Sequence, residues 1–219
     1  MALKDIYIYG AGDFGREVKM IIDQINDEKN TWHIVGFIDD DSKKKNATVV
    51  DNLKVIGDAE FLLTLNKDAD VVIPIGDSHV REKIYNKIKK NKHLHFPNIF
   101  HPSVIFEEST LKIGKGNIFL INTILSTYVE FGDFNIVNMG TIIGHDVKVG
   151  SYTTINPGCN IGGTVTIGDH CDFGMGCSVI QGVTIPSHVH IAGNSFVTKN
   201  CESWYLYIGI PAKRSLPLR

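Results

Sequence analysis

His145 and Asp146 adjoin in the tetrapeptide Ile143-Gly144-His145-Asp146. A neutral imidazole accepts a proton near pH 7. A carboxylate bonded to one ring nitrogen fixes the tautomer and leaves the other nitrogen as a base. An exposed turn that happens to carry histidine would read the same way, so the pair alone leaves both readings open. A second candidate is Gly10-Ala11-Gly12-Asp13-Phe14-Gly15. Between a strand and a helix, such a run turns tightly, and its backbone N–H groups with the helix N-terminus can cradle a phosphate. A purely structural turn is the alternative. His170 and His188 stand 18 apart. With His190 nearby, they could ligate a metal through their imidazoles, but no closely spaced pair accompanies His145. We expect a solvated corner there and no metal. Cys159, Cys171, Cys177 and Cys201 form no CxxC pair, which excludes a zinc ribbon.

The elements that must position these residues differ between the two halves of the 219-residue chain. Fifteen of the 22 Lys and Arg precede the Pro97–Pro102 stretch, whereas 15 of the 21 Gly follow it. We therefore expect domains at residues 1–97 and 98–219. The first domain starts with an apolar strand, Ile6–Tyr9, then the glycine run, then a helix carrying Val18, Ile21, Ile22 and Ile25 on one face. A strand from His33 to Ile38 ends at Asp39 and Asp40. A short helix near Ala59–Leu65, a buried strand Val71–Ile75 leading to Gly76-Asp77, and a basic helix from His79 to Lys90 complete it. That alternation predicts an α/β domain with a small parallel sheet, a Rossmann-like half.

The second half repeats with a period of six. Stepping by six from Ile113 meets Phe119, Leu125, Phe131, Val137, Ile143, Val149, Ile155, Ile161, Ile167, Phe173, Val179, Ile185, Ile191 and Val197. At the overall 43% hydrophobic frequency, such a run arises by chance on the order of once in several hundred thousand for a given register. Two residues earlier stand small or β-branched side chains, among them Thr141, Val147, Thr153, Cys159, Val165, Cys171 and Cys177. A period of six fits neither an α-helix nor a hairpin array. It predicts a solenoid of short strands and sharp corners, three hexads to each 18-residue coil, with the large residues and the three hexad cysteines packed inside.

These hexads, with the tail Gly209-Ile210-Pro211-Ala212-Lys213, resemble the hexapeptide-repeat acyltransferases, whose fold is a left-handed parallel β-helix. Joined to the glycine-run α/β domain, the chain resembles bacterial nucleotide-sugar N-acetyltransferases and sialic acid O-acetyltransferases. The resemblance implies acetyl-CoA as co-substrate, His145 as general base and Asp146 as its orienting acid. It also implies a nucleotide-linked amino sugar, with UDP or dTDP as carrier and a 4-amino-4,6-dideoxyhexose as the sugar. A single mononucleotide half suits such a ligand better than a dinucleotide. Gly10, Ala11, Gly12, Phe14, Gly15, Asp39, Asp40, Gly76 and Asp77 are expected to bind it. Pro157, Met175 and Gly193, spaced by whole coils, are expected to meet the pantetheine arm, with Thr154, Lys213 and Arg214 as further coenzyme contacts. Active sites would lie between the subunits of a homotrimer. O-acetylation of a free sugar and a non-catalytic sugar-nucleotide scaffold are the alternatives.

Composition narrows the remaining classes. A net charge of -2 offers no basic field for nucleic acid. No apolar run approaches the roughly 18 residues of a membrane span. A cytoplasmic protein is expected, and the resemblance implies that it serves surface-polysaccharide synthesis such as that of O-antigen.

Overall fold

The computed structural model describes residues 3–218. The chain divides after Pro102 into two compact units. In the first, β1 (Lys4–Tyr9) is followed by α1 (Asp13–Glu28), β2 (Trp32–Ile38), β3 (Thr48–Val50), β4 (Leu53–Gly57), α2 (Ala59–Leu63), β5 (Ala69–Val72), α3 (Ser78–Ile88) and β6 (Leu94–His95). The sheet order is β3-β4-β2-β1-β5-β6, parallel except for the β3–β4 hairpin. Ile6, Ile8, Phe37, Ile38 and Val71 are buried in it, and α1 buries Val18, Ile21 and Ile22.

The chain winds from β1 to one side, through β2 and β4, and then returns across β1 to β5. A parallel sheet that reverses in this way opens a crevice at the carboxyl ends of the two strands flanking the reversal. Here the segments leaving those ends are Gly10–Gly12 after β1 and, beyond β5, Gly76-Asp77.

The second unit is a left-handed parallel β-helix. Its two-residue strands pair with one another at a separation of 18 residues, as in Ile124↔Ile142, Ile142↔Asn160 and Asn160↔Ser178, and stack into three sheets, one of which His190–Ile191 extends to the C-terminal strand Tyr205–Gly209. Fourteen of the fifteen large hexad residues are buried, Ile113 of the first coil being the partly open one. Every small residue two positions earlier, from Thr123 to Ser195, is buried as well. The corners demand left-handed backbone at six-residue intervals, and three edges result. Asn122, Gly140, Gly158, Gly176 and Asn194 line the first, Tyr128, Asp146, Thr164 and Gly182 the second, and Phe134, Tyr152, His170 and His188 the third.

The third edge corrects one expectation. His170 and His188 are not solvated corner residues but rungs of a ring stack, Phe134–Tyr152–His170–His188–Trp204, with centroids 5.5, 5.2, 5.2 and 4.0 Å apart and planes within 11° of parallel. One coil is about 4.8 Å high, close to the stacking distance of flat rings, so same-corner aromatics meet face to face. Inside the prism all four cysteines are free and buried. Burial pushes the Cys171 thiol up to about 11 and that of Cys201 to about 12, far from a reactive thiolate.

The tightest joint of the first unit is Gly15. A Cβ there would stand 2.0 Å from the Gly10 carbonyl oxygen, a backbone atom that cannot swing aside. Gly15→Ala is expected to destabilise this domain by about 1–3 kcal/mol, seen as a lower urea midpoint; an unchanged midpoint would contradict the packing described.

Candidate active site

His145 occupies the second edge of the β-helix, with Asp146 as its left-handed corner residue (φ 57). The turn is held by Asp146 N–H donating to the Thr127 carbonyl above (3.0 Å) and Thr164 N–H donating to the His145 carbonyl below (2.8 Å). His145 Nδ1 lies 2.8 Å from Asp146 Oδ2, and the two side chains are 58% and 54% exposed. The carboxylate thus engages one ring nitrogen, while Nε2 lies over the next coil. There the chain has Gly163. A Cβ at that position would stand 2.5 Å from His145 Nε2. Gly144 in turn packs on Gly162 and Gly163, its own Cβ position being 2.6 Å from the Gly163 nitrogen. Glycine at 163 is a feature the sequence reading missed. Adding one 18-residue coil to His145 would have found it.

Pro157, Met175 and Gly193 form a column beside the first edge, tied by Gly176 N–H to the Pro157 carbonyl (2.9 Å) and Asn194 N–H to the Met175 carbonyl (2.8 Å). Met175 is 65% exposed. A groove of about 430 Å³ continues the column along Gly176, Ser178, Asn194, Phe196 and Ile210. His145 and this column therefore lie on different edges of the same prism. The face between them carries exposed Ile124, Ile142 and Ile180. Thr154 stands apart from both, buried in a strand of another face. Arg214 bonds Glu202 (2.6 Å) and lies 4.7 Å over the Tyr205 ring, whereas Lys213 is exposed.

In the first unit the crevice residues divide by task. Gly10 has a φ of +126, open to glycine at little cost, and Gly15 lets α1 press on β1. Gly12, the residue before α1, offers no side-chain cap, and a Cβ there would meet nothing within 4 Å, nor would one at Gly76. The amides at the start of α1 consequently face open space, the arrangement that favours an anion. Phe14 is half-buried in the same turn.

The acidic residues of the crevice serve the fold. Asp39 accepts from the Ala11 N–H (3.0 Å), the Asp41 N–H (3.0 Å) and Lys44 Nζ (2.9 Å). Burial works to raise the Asp39 carboxyl, but those three donors outweigh it and hold the group below the usual carboxylate range. Lys44 offsets its charge beside the cradle. Asp40 accepts from Tyr9 Oη (2.8 Å) and from the first amide of α2, Ala59 N–H (3.0 Å). Asp77 caps α3, accepting from His79 and Val80 N–H. Arg81, in what reads as a basic surface helix, is 1% exposed and donates to the Ile75 and Gly76 carbonyls, pinning the loop. A cavity of about 650 Å³ lies at the opposite, amino end of the sheet. There Asp5 pairs with Lys67 and His33, and Asp68 with His93, so its charged walls are already committed within the protein.

Residues 5–88 match the family model described as the PglD N-terminal domain. The fold is one that several solved acetyltransferases share. The acetyltransferase domain of PglB from Neisseria gonorrhoeae, solved with acetyl coenzyme A, superposes with a TM-score of 0.88 at 22% identity over 98% of this chain and 100% of that one. PerB from Caulobacter crescentus, solved with CoA and GDP-perosamine, gives 0.85 at 24% identity over 98% of each chain. WeeI from Acinetobacter baumannii gives 0.84 at 26% identity over 97% of this chain and 100% of that one. No curated protein sequence matches. Among the described residues no helix is long and apolar enough to cross a membrane.

The glycine beneath the imidazole yields a direct test. In Gly163→Ala the new methyl meets a flexible ring tip rather than backbone, so the fold should hold while the ring is displaced from its place against Asp146. Such a misplacement costs on the order of 100-fold in rate. An unchanged melting temperature with that loss is expected; full activity would show that Nε2 does not work over Gly163.

Proposed function

We propose that the protein transfers the acetyl group of acetyl-CoA to the amine of a nucleotide-linked 4-amino-4,6-dideoxyhexose, with UDP or dTDP as the nucleotide. The observation that carries this reading is the His145 Nδ1 bond of 2.8 Å to Asp146 on an open corner, its other nitrogen over a glycine, in a chain whose first domain is of the PglD type. The diphosphate rests on the amides of Gly12 and the first turn of α1, where no side chain intrudes and the helix dipole favours anions. The base and ribose lie along the loops after β2 and β5, with Asp39, Asp40 and Asp77 holding those loops in shape. The pantetheine arm follows Pro157, Met175 and Gly193, and Lys213 meets the coenzyme phosphates.

The reaction is direct. The amine nitrogen attacks the thioester carbonyl carbon, forming the C–N bond, as His145 Nε2 takes the amine proton. Asp146 stabilises the resulting imidazolium. The Gly163 N–H, which has no acceptor among the described residues, donates to the oxyanion. Collapse of the tetrahedral intermediate breaks the C–S bond, and the imidazolium returns its proton to the leaving thiolate, giving amide and free CoA. Three arguments support this reading. PerB, of the same fold, was solved with an amino-sugar nucleotide and CoA. Variants of that protein with one histidine replaced were solved with the same pair. The cradle in the first domain would be idle if the acceptor were a free sugar.

Because His145 and the coenzyme column stand on different edges, one copy supplies the base and a neighbouring copy the column. A homotrimer, in which the exposed Ile142 face is covered, meets that requirement. The protein works in the cytoplasm, where acetyl-CoA and sugar nucleotides are made, and feeds surface-polysaccharide synthesis.

The experiment is thiol release from acetyl-CoA against a panel of UDP-, dTDP- and GDP-linked 4-amino-4,6-dideoxyhexoses. One amino sugar should give free CoA, with at least a 100-fold fall in His145→Ala. Gly12→Asp, which can cap α1 but sets a negative charge in the cradle, should abolish use of the nucleotide-linked acceptor and leave the fold intact. Silence across the panel, or activity indifferent to both changes, overturns the proposal.

A further inference from the structure

One aromatic side chain of the β-helix has no place in its packing. Tyr128 stands at the second edge, one coil before Asp146, so its Cα lies about 4.8 Å above that of the acid. Thr127, its neighbour, is the residue whose carbonyl receives the Asp146 N–H. Tyr128 has left-handed backbone (φ 58), and its side chain is among the exposed apolar ones, at 65%. A bulky residue in that conformation is strained, and asparagine or glycine would serve the corner at lower cost. The fold uses both elsewhere, at Asn122, Gly140, Gly158 and Asn194. The other ring-bearing corners, Phe134, Tyr152, His170 and His188, belong to the stack along the third edge. No ring contact or hydrogen bond of Tyr128 occurs among the described residues. Strain without a packing return points to a ligand.

The direction of the ligand follows from the order of the coils. Gly163, and the column of Pro157, Met175 and Gly193, lie on the C-terminal side of the His145 level, so the acyl donor approaches the imidazole from that side. Tyr128 lies on the N-terminal side, the side left to the acceptor.

We infer that Tyr128 is the platform on which the acceptor sugar is laid, its ring face against the C–H face and the C6 methyl of the deoxyhexose. This rests on the N-acetyltransferase reading and adds a specificity-determining residue to it. A deoxyhexose has lost a hydroxyl that an ordinary hexose would present to water, and an exposed aromatic ring rewards that loss by burying apolar surface. The ring positions the amine without touching the proton that His145 removes. Its loss therefore weakens acceptor binding and leaves the coenzyme site alone.

Tyr128→Asn tests this, since asparagine relieves the backbone and should keep or raise the melting temperature. The Michaelis constant for the amino-sugar nucleotide should rise about tenfold, with that for acetyl-CoA unchanged, and Tyr128→Phe should restore it. Saturation-transfer NMR on the unreacted sugar nucleotide reads the same contact without catalysis. The C6 methyl should receive saturation in the wild type and in Tyr128→Phe, and lose it in Tyr128→Asn. An unaltered Michaelis constant and methyl signal in Tyr128→Asn overturn the platform while leaving the acetyltransferase reading standing. A fall in melting temperature or loss of the oligomer in Tyr128→Asn, with acceptor binding intact, assigns the ring to structure or to a subunit contact and also overturns it. Thiol release with no acceptor in the panel overturns the parent reading, and the methyl signal then reports on the platform alone.

Discussion

Each coil of the β-helix is hydrogen-bonded to the next at a separation of 18 residues, and that single register determines where every side chain of the second unit stands. It holds because the inward positions leave no room for a slip. A shift of one residue would turn Ile143, Val149 and Ile155 outward and drive Ile142 or Lys148 into the core. At about 25 cal/mol per Å² of apolar surface, fourteen buried large side chains make such a slip prohibitive. The functional features follow from this constraint. Asp146 is beside His145 because the corner needs a left-handed residue, and Nε2 is open because the residue one coil below is glycine.

The first unit meets a different constraint. Its crevice exists because the strand order reverses at β1, which separates the loops leaving β1 and β5. Glycines keep the crevice clear, and acids keep it shaped. Asp39 and Asp40 spend their oxygens on Ala11, Asp41, Lys44, Tyr9 and Ala59, so the loops are stiff before any ligand arrives. That preorganisation reduces the ordering cost of binding. In the proposed reading the first unit holds the anionic handle of the acceptor and the second holds the base at a fixed corner.

Much of this was legible in the sequence because its strongest signals are periodic. Six-residue spacing specifies the solenoid, and the alternation around Gly10–Gly15 specifies the β1-α1-β2 unit, with limits within one or two residues of those observed. What was not legible depends on neighbours distant in sequence. The β3–β4 hairpin is too short and polar to show a period. Arg81 reads as one more charge of a basic helix, yet it is buried where its guanidinium binds loop carbonyls. Asp77 precedes Ser78 as an ordinary helix cap, which its place in a glycine loop obscured. The stacking of His170 on His188 follows from the 18-residue register, but the flanking Tyr152 and Trp204 that turn a corner into a ladder become visible only when coils are superposed.

The central claim is that the imidazole of His145 removes the amine proton while acetyl passes directly from CoA to nitrogen. The pH dependence of kcat/KM for the amino-sugar nucleotide tests it most directly, compared between the wild type and His145→Asn. Two ionisations should shape the wild-type acid limb, the imidazole and the substrate amine, and one should remain in the residual rate of the variant. An acid limb of the same shape in both proteins would contradict the account.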